Sequence, residues 1–598
     1  MPTADARLRR HAPDLVALLL ALAICAPFLR RGTVIAYDLA WSPRPRWTPF
    51  VRGIGIPAPR AVPSDAVAVL IGRVTGAGLA QALILIGILT LAGAGAARLL
   101  AQLAGPMGLA GRTGAAVVAI WNPFVAERLA IGHWTVLLAY AVLAPLCAAI
   151  VRARRADGSF APVAAWLALA GVGGANALVI AVPCALVLLA WPARSGERPR
   201  LSRVRAACVV VALGTGLAAC WALPALAAQV TGAASGAAAF GARSDTAYGL
   251  VLSLVTGGGF WNGAGQAAAR GPWQLTGILT ALAVVALAAG VRPLLRGAAR
   301  PLLGAAVLAY LVVLASGVPG VRDGWASVIG AVPGGGVLRD TQKLLAAWML
   351  LTALAAGVAI DRLAGSPRLA GWRPMPALAA VLVPVALQPT LVWGLNGRLT
   401  PAVVPTDLLA TTATLSRLPD GLVGVLPWGQ YRRYPWNGNR VSLTLAPRLV
   451  DQQVLVNDAL PTRTGTIAGE DARATAVSRA IATGEDAALA LRGQGVRYLL
   501  IEADAAGDPT GADQNPAVGG VRTEHGLTVP ASLSGATPIA SGPSAVAYDL
   551  GPVAGGVEPI RPSLVAGWAM TVLTWAFAAG WAIARRHPRR SGRGAARP

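Results

Sequence analysis

Long apolar runs, separated by short polar stretches rich in arginine, set the pattern of this chain. Runs near the roughly 20 residues that carry a helix across a bilayer fall at about 14–29, 79–100, 113–131, 134–151, 161–174, 176–192, 207–228, 274–291, 301–316, 343–360, 375–394 and 564–584. The pattern predicts about twelve spans, and the short runs 161–174 and 176–192 also suit a single re-entrant pair. The first run follows Arg7, Arg9 and Arg10 and has no small-residue cleavage site after it, so it reads as a retained first helix.

The pattern changes between 395 and 563. Leu422-Val423-Gly424-Val425-Leu426-Pro427-Trp428 reads as a strand, 470–493 as helical, and Gly495 stops a helix before a buried strand from Val496 to Glu502. From about 503 to 555, Gly, Pro, Ala and Ser point to short strands and loops. The expected fold is an α-helical polytopic membrane protein with a small extracytoplasmic α/β domain. Its parts are a multi-span domain over 1–394 with outward loops at 30–78, 229–273 and 317–342, the α/β domain over 395–563, a last span at 564–584 and a basic tail at 585–598.

Composition agrees. Over 598 residues, 55% hydrophobic and 13% charged content exclude a soluble globular class, as does a mean hydropathy of +0.59. The formal charge of +25 would suggest nucleic acid in a soluble chain. Here every second loop carries the arginines, through Arg98 and Arg112, 152–155, 194–205, 292–300, 362–373 and the tail residues Arg585, Arg586, Arg589 and Arg590. That distribution follows the positive-inside rule. It predicts a plasma-membrane protein with both termini cytoplasmic, the lipid bilayer as partner and no nucleic acid. Cys25, Cys147, Cys184, Cys208 and Cys220 lie in or beside apolar runs without metal-ligand spacing, and read as small packing residues. The four histidines are scattered and predict no metal site. Gly257–Gly259 and Gly334–Gly336 lack a following G-K-[ST] and read as loops.

Four segments carry charge where bulk topology does not ask for it. The first outward loop sets Arg30, Arg31, Arg44, Arg46, Arg52 and Arg60 against Asp38 and Asp65. It could hold a phosphate on guanidinium forks or simply touch anionic headgroups. Asp38, in Thr33-Val34-Ile35-Ala36-Tyr37-Asp38-Leu39-Ala40-Trp41, suits a general base on an acceptor hydroxyl, or an ion-pair partner for Arg30 or Arg31. Between Trp121 and Trp134, Asn122-Pro123 breaks a helix and leaves Glu127, Arg128 and His133 near the membrane surface. They suit a polar cavity or a structural hinge. In Val337-Leu338-Arg339-Asp340-Thr341-Gln342-Lys343-Leu344-Leu345, the chain's one lysine stands four residues after Arg339. On a helix the two share a face and could clamp a phosphate, or Lys343 could snorkel. Last, Trp428, Tyr431, Arg432 and Trp436 mix rings with a guanidinium. They suit a sugar surface, or docking of the domain on headgroups or on its own membrane part.

Together the first-loop acid, the Asn122-Pro123-Phe124…Glu127-Arg128-Leu129…Gly132 segment, Leu338-Arg339-Asp340-x-x-Lys343 and the strand Gly495-Val496-Arg497-Tyr498 resemble the GT-C class of membrane glycosyltransferases. Within that class the chain resembles actinobacterial cell-envelope arabinofuranosyltransferases or mannosyltransferases. The resemblance implies a polyprenyl-phosphate sugar donor and an envelope glycan or glycolipid acceptor, with Asp38 as catalytic base. Arg339 and Lys343, with Arg44 and Arg46, would face the donor phosphate. Tyr37, Asp65, Glu127, Arg128, His133 and Asp340 would line the cavity. Trp428, Tyr431, Arg432 and Trp436 would meet the acceptor. The first loop has no Asp-x-Asp or Glu-x-Asp pair, so no motif supports a divalent metal and the cofactor is left unassigned. The rival expectations are a lipid-linked sugar transporter and a non-catalytic envelope scaffold.

Overall fold

The computed structural model describes residues 4–584 apart from 156–157, 193–200, 297, 373, 463–464, 503–532 and 534–535. The basic tail 585–598, Arg194, Arg198, Arg200, Arg373 and most of the 503–535 stretch therefore lie outside the described residues.

Among the described residues, seven helices are long and apolar enough to cross a membrane: Arg10–Leu29, Ala77–Ala104, Trp134–Ala153, Arg203–Ala227, Trp273–Arg296, Thr341–Ala364 and Pro562–Ala584. Arg300–Ser316 with Pro319–Ala331, bent by 98°, and Met375–Leu387 with Pro389–Asn396, bent by 77°, raise the count to nine if each pair is one span. The chain is thus a multi-pass membrane protein, and among the described residues seven to nine helices are long and apolar enough to span, against the twelve or so expected from hydropathy. The 113–131 run is cut at Asn122-Pro123 into Leu109–Ile120 and Pro123–Ala130. The runs 161–174 and 176–192 are separate helices of 12 and 17 residues. Hydropathy sums apolarity along the chain and is blind to where a proline, a cap or a glycine turns it.

Burial orders these helices. Trp134–Ala153 is central, with 83% of its apolar window covered by protein, whereas only 17% of that of Trp273–Arg296 is covered. An apolar helix left so open is one that lipid covers. Small residues set the closest approaches: a Cβ on Gly357 would fall 2.7 Å from the Gly111 carbonyl oxygen, so the Leu345–Ala364 and Leu109–Ile120 backbones nearly touch. Cys25, Cys147, Cys184 and Cys220 are buried packing residues, while Cys208 is exposed.

After residue 405 the chain builds a five-stranded mixed sheet. Its strands are β1 (Leu422–Leu426), β2 (Val454–Leu455), β3 (Val496–Glu502), β4 (Thr537–Ser541) and β5 (Ala545–Asp549), in the order β4-β5-β3-β1-β2. β1 runs parallel to β2 and β3, and β5 is antiparallel to β3 and β4. Both faces of the sheet centre are covered, which is why β1 and β3 are continuous apolar runs. Leu422, Leu426 and Ile501 pack under the helices Ala472–Ala482 and Ala487–Gly493. Val423, Val425, Tyr498 and Leu500 pack with Leu408 and Leu415 of Thr406–Leu415, and also with Ile35 and Ala40 of the first loop.

That shared core joins sheet region and membrane part. Ile35–Ala36 pairs with Leu39–Ala40 as a tight hairpin with Tyr37 and Asp38 at its tip. The hairpin lies along the ribbon Tyr431–Arg433/Val441–Leu443, where the Tyr37 N–H donates to the Val441 carbonyl at 2.6 Å and the Leu443 N–H to the Tyr37 carbonyl at 3.1 Å. Tyr37 has φ of 47°, a left-handed conformation that a tyrosine holds only when its surroundings dictate it.

Candidate active site

Three separate pieces of chain meet at Asp38. The first is the hairpin tip. The second is the turn after Pro123–Ala130. Asn122 builds it by accepting the Val125 N–H at 3.0 Å while its amide donates to the carbonyls of Val118 at 2.9 Å and Ala119 at 3.1 Å. One side chain thereby closes one helix and caps the next. Gly132 follows with φ of 76°, and a Cβ there would lie 2.2 Å from the Leu39 nitrogen. Only glycine permits both the left-handed turn and this contact. The Asp38 N–H donates to the Ile131 carbonyl at 3.2 Å, completing the join. The third piece is the ribbon that carries Tyr431.

The side chains then form one connected chain. Asp38 Oδ1 accepts the Tyr431 hydroxyl at 2.6 Å, and Asp38 Oδ2 lies 3.1 Å from His133 Nε2. His133 Nδ1 is 2.9 Å from Arg128 NH1, and that nitrogen also donates to Asp340 Oδ2 at 2.7 Å. Arg128 NH2 reaches Asp340 Oδ1 at 3.3 Å and the Gln342 amide oxygen, while the Gln342 amide nitrogen donates to the Gly258 carbonyl at 3.1 Å. Arg128 is fully buried, with its guanidinium 4.8 Å from the Phe260 ring centroid. The Asp38 side chain, by contrast, keeps 40% of its surface open. The acid is therefore the accessible end of a buried polar chain.

Burial alone would raise the Asp38 carboxyl. The His133 hydrogen bond, the charge of that ring in its protonated form, the Tyr431 hydrogen bond and the positive charge of Arg339 outweigh it, so Asp38 titrates below its ordinary 3.8. Burial and the charge of Asp38 hold Tyr431 well above the usual tyrosine range, so its hydroxyl stays a donor. Asp340 is lowered to about 2: burial opposes ionisation, and the Arg128 ion pair prevails. Burial and the like charge of Arg60 bring Arg339 down to about 10, still cationic at neutral pH. Arg339 stacks over Phe240 at 4.6 Å, and its charge is felt at both Asp38 and Tyr431. Arg60 is ion-paired with Glu470 and remains half exposed.

Other candidates are placed elsewhere. Arg339 and Lys343 do not share one helical face: Asp340, at φ −93° and ψ 86°, separates the turns Gly335–Leu338 and Thr341–Leu344. Lys343 is buried and donates to the Val337 carbonyl at 2.6 Å and the Asn176 amide oxygen at 3.2 Å. Arg44 donates to the Leu409 carbonyl at 3.1 Å and Arg46 to Asp451 at 3.1 Å, so both tie the first loop to the sheet region. Asp65 does the same, accepting from Arg448 at 2.8 Å. Glu127 turns away from Arg128 toward Arg270, whose Nε is 3.8 Å away and which Asp245 holds at 2.5 Å and 2.6 Å.

Of the four aromatic and guanidinium candidates, strand alternation turns Tyr431 and Arg432 to opposite sides, while Trp428 and Trp436 lie outside the strand. Arg432 points into the core, where its Nε is 3.0 Å from Glu502, a carboxylate that also accepts the Tyr434 hydroxyl at 2.7 Å. Trp428 is buried and donates to Ser478 at 2.9 Å, and Trp436 stacks on Tyr434 with centroids 4.7 Å apart. These three serve the domain's own packing. Tyr431 alone turns to Asp38, its ring edge-on to Tyr37 at 6.4 Å. Sequence reasoning passed over Gln342, Phe240 and Glu470, whereas Arg60 was among the first-loop arginines read as able to hold a phosphate. Among the described residues, no group of three or more His, Cys, Asp and Glu gathers where a metal ion could be held.

No protein-family model matches this sequence, and no curated protein matches it. Solved structures do match. The cryo-EM structure of the arabinofuranosyltransferase AftD from Mycobacteria aligns with 92% of this chain and 40% of its own, at 17% identity and a TM-score of 0.55. A mutant form of the same protein aligns with 90% of this chain and 42% of its own, at 16% identity and a TM-score of 0.52. The chain spans about two fifths of that protein's length. At such identity the likeness is one of fold, shared with that arabinofuranosyltransferase over 92% of this chain.

Proposed function

We propose that this chain is a membrane glycosyltransferase that moves a sugar from a polyprenyl-phosphate donor to a hydroxyl of an envelope glycan or glycolipid on the outer face of the plasma membrane. One observation carries the reading: an accessible, ionised carboxylate, Asp38, stands in a buried polar frame with the cation of Arg339 close enough to act on it. The AftD-like fold supports it.

In the reaction the acceptor oxygen forms a bond to the anomeric carbon as the bond from that carbon to the phosphate oxygen breaks. Asp38 takes the acceptor's proton on a lone pair that Tyr431 and His133 leave open. Charge then develops on the leaving phosphate, where Arg339 and the half-exposed Arg60 stabilise it. Lys343 adds positive potential from beneath, with two of its three donors already occupied by the chain. Tyr37 and Tyr431 flank Asp38 and offer ring surface to a sugar acceptor.

The test uses the full chain in nanodiscs with radiolabelled decaprenyl-phospho-arabinose and decaprenyl-phospho-mannose in parallel. Wild type is expected to transfer one of the two sugars. Arg339→Ala, which removes a charge-assisted contact, should cost about 10- to 100-fold in kcat/KM. A wild type that binds donor lipid yet transfers neither sugar overturns the reading in favour of a lipid-linked sugar carrier or a scaffold.

The pH profile gives a second expectation. Tyr431 donates to Asp38 and favours its ionised form. Tyr431→Phe removes that donor, so Asp38 titrates higher and the acid limb of kcat/KM moves toward neutral pH. An acid limb unchanged in Tyr431→Phe would show that Asp38 ionisation does not govern the rate.

A further inference from the structure

Resting on the reading of Asp38 as base, we infer that His133 is a positioning residue locked in a single tautomer, and not a proton relay. The lock is a matter of hydrogen-bond inventory. A guanidinium has donors only, so His133 Nδ1, 2.9 Å from Arg128 NH1, accepts. The ring proton then sits on Nε2, and it is Nε2–H that donates to Asp38 Oδ2 at 3.1 Å.

The donor side cannot rearrange. Arg128 is fully buried, and its terminal nitrogens are committed to His133, both oxygens of Asp340 and Gln342. Gln342 is in turn held by the Gly258 carbonyl. The His133 N–H donates to the Arg128 carbonyl at 2.8 Å, so ring and guanidinium share one rigid turn. A second ring proton would place Nδ1–H against an Arg128 N–H, with no acceptor between them.

Two consequences follow for the proposed reaction. His133 holds Asp38 in one rotamer and keeps it ionised through a fixed donor. The proton that Asp38 takes from the acceptor leaves through the open side of Asp38, because Nε2, the nitrogen a relay would load, already carries its proton and Nδ1 faces only the Arg128 N–H donors. The charged and titratable groups facing this pair are Arg128 and Asp340 behind it, Tyr431 and Arg339 beside it, and Arg60 beyond Tyr431. Asp340 is ion-paired with Arg128 at 2.7 Å, which keeps that guanidinium pointed at His133.

Nitrogen-15 histidine labelling of the full chain in nanodiscs tests the tautomer without any substrate. The chain has four histidines, and His133→Gln identifies the His133 signal by its loss. The His133 ring nitrogens are expected to report the Nε2–H form at neutral pH. An Nδ1–H form, or an imidazolium, overturns the lock. The positioning role is read from transfer. His133→Ala should move the acid limb of kcat/KM toward neutral pH, and His133→Gln, which keeps an N–H donor, should restore it. An acid limb that stays put in His133→Ala overturns the role even if the tautomer is as expected. A wild type that transfers no sugar removes the base reading while the tautomer result stands, so the two failures are told apart.

Discussion

Asp38→Asn is expected to lower kcat about a hundred- to ten-thousandfold, the usual contribution of a positioned general base, with KM for the donor nearly unchanged. The amide matches the carboxylate in shape and can still accept from Tyr431 or His133, so the hairpin tip has no reason to move. What it loses is the capacity to take a proton. Because the Asp38 carboxyl titrates below 3.8, wild type keeps its base ionised at neutral pH, and the deficit of Asp38→Asn should be constant across neutral pH. Steady-state kinetics with the donor lipid saturating, alongside elution as a single folded species, measures this. A loss under about tenfold would leave Asp38 as an ordinary partner of His133.

The second large effect is one of stability. Asp340→Asn leaves Arg128 buried without its counter-charge, and breaking a buried pair in this way costs about 3–5 kcal/mol. The Arg128 side chain is wholly covered and that of Asp340 only 12% open, so solvent cannot compensate. The sign with pH is fixed by the depressed value. Asp340 titrates near 2 in the folded chain against an ordinary 3.8, so the pair's contribution is complete above that ordinary value and fades as pH falls toward 2. Unfolding midpoints in detergent should therefore separate wild type from Asp340→Asn most widely at neutral pH and converge in acid. Equal midpoints at neutral pH would mean that Arg128 finds another acceptor. The same variant frees the guanidinium that holds His133, so a changed His133 ring signal in Asp340→Asn links stability to the site.

The two variants also separate two roles of buried charge. Asp38 is ionised and accessible, and its removal leaves the fold in place. Asp340 is ionised and enclosed, and its removal is felt first by the fold. Both acids lie on one hydrogen-bonded chain, Asp38–His133–Arg128–Asp340, whose members come from positions 38, 133, 128 and 340.

Some of this architecture was legible in the amino-acid order alone. Apolar runs of helical length marked the membrane part, since burying backbone in lipid demands them. The strands at Leu422–Leu426 and Val496–Glu502 stood out as apolar runs bounded by turn residues. Asn122-Pro123 announced its break because proline denies the helix a donor. Tyr431 facing outward and Arg432 inward was also within reach, since a strand alternates its faces. Reading Tyr431 and Arg432 as parts of one surface overlooked that period.

Tertiary structure alone decided who pairs with whom. Asp38 meets Tyr431 across 393 positions, and Arg128 meets Asp340 across 212. Arginine stands at nearly every basic position in this chain, so composition offers no means of choosing partners. Arg44, Arg46, Arg60 and Arg339 look alike in sequence, yet the first two anchor the sheet region, Arg60 pairs with Glu470 and Arg339 acts on the acid. Local periodicity fixes which way a side chain points from its own helix or strand. It cannot fix which distant element that direction meets, because the meeting depends on how the helices pack, where Gly132 lets the hairpin approach and where Asp340 breaks its turn.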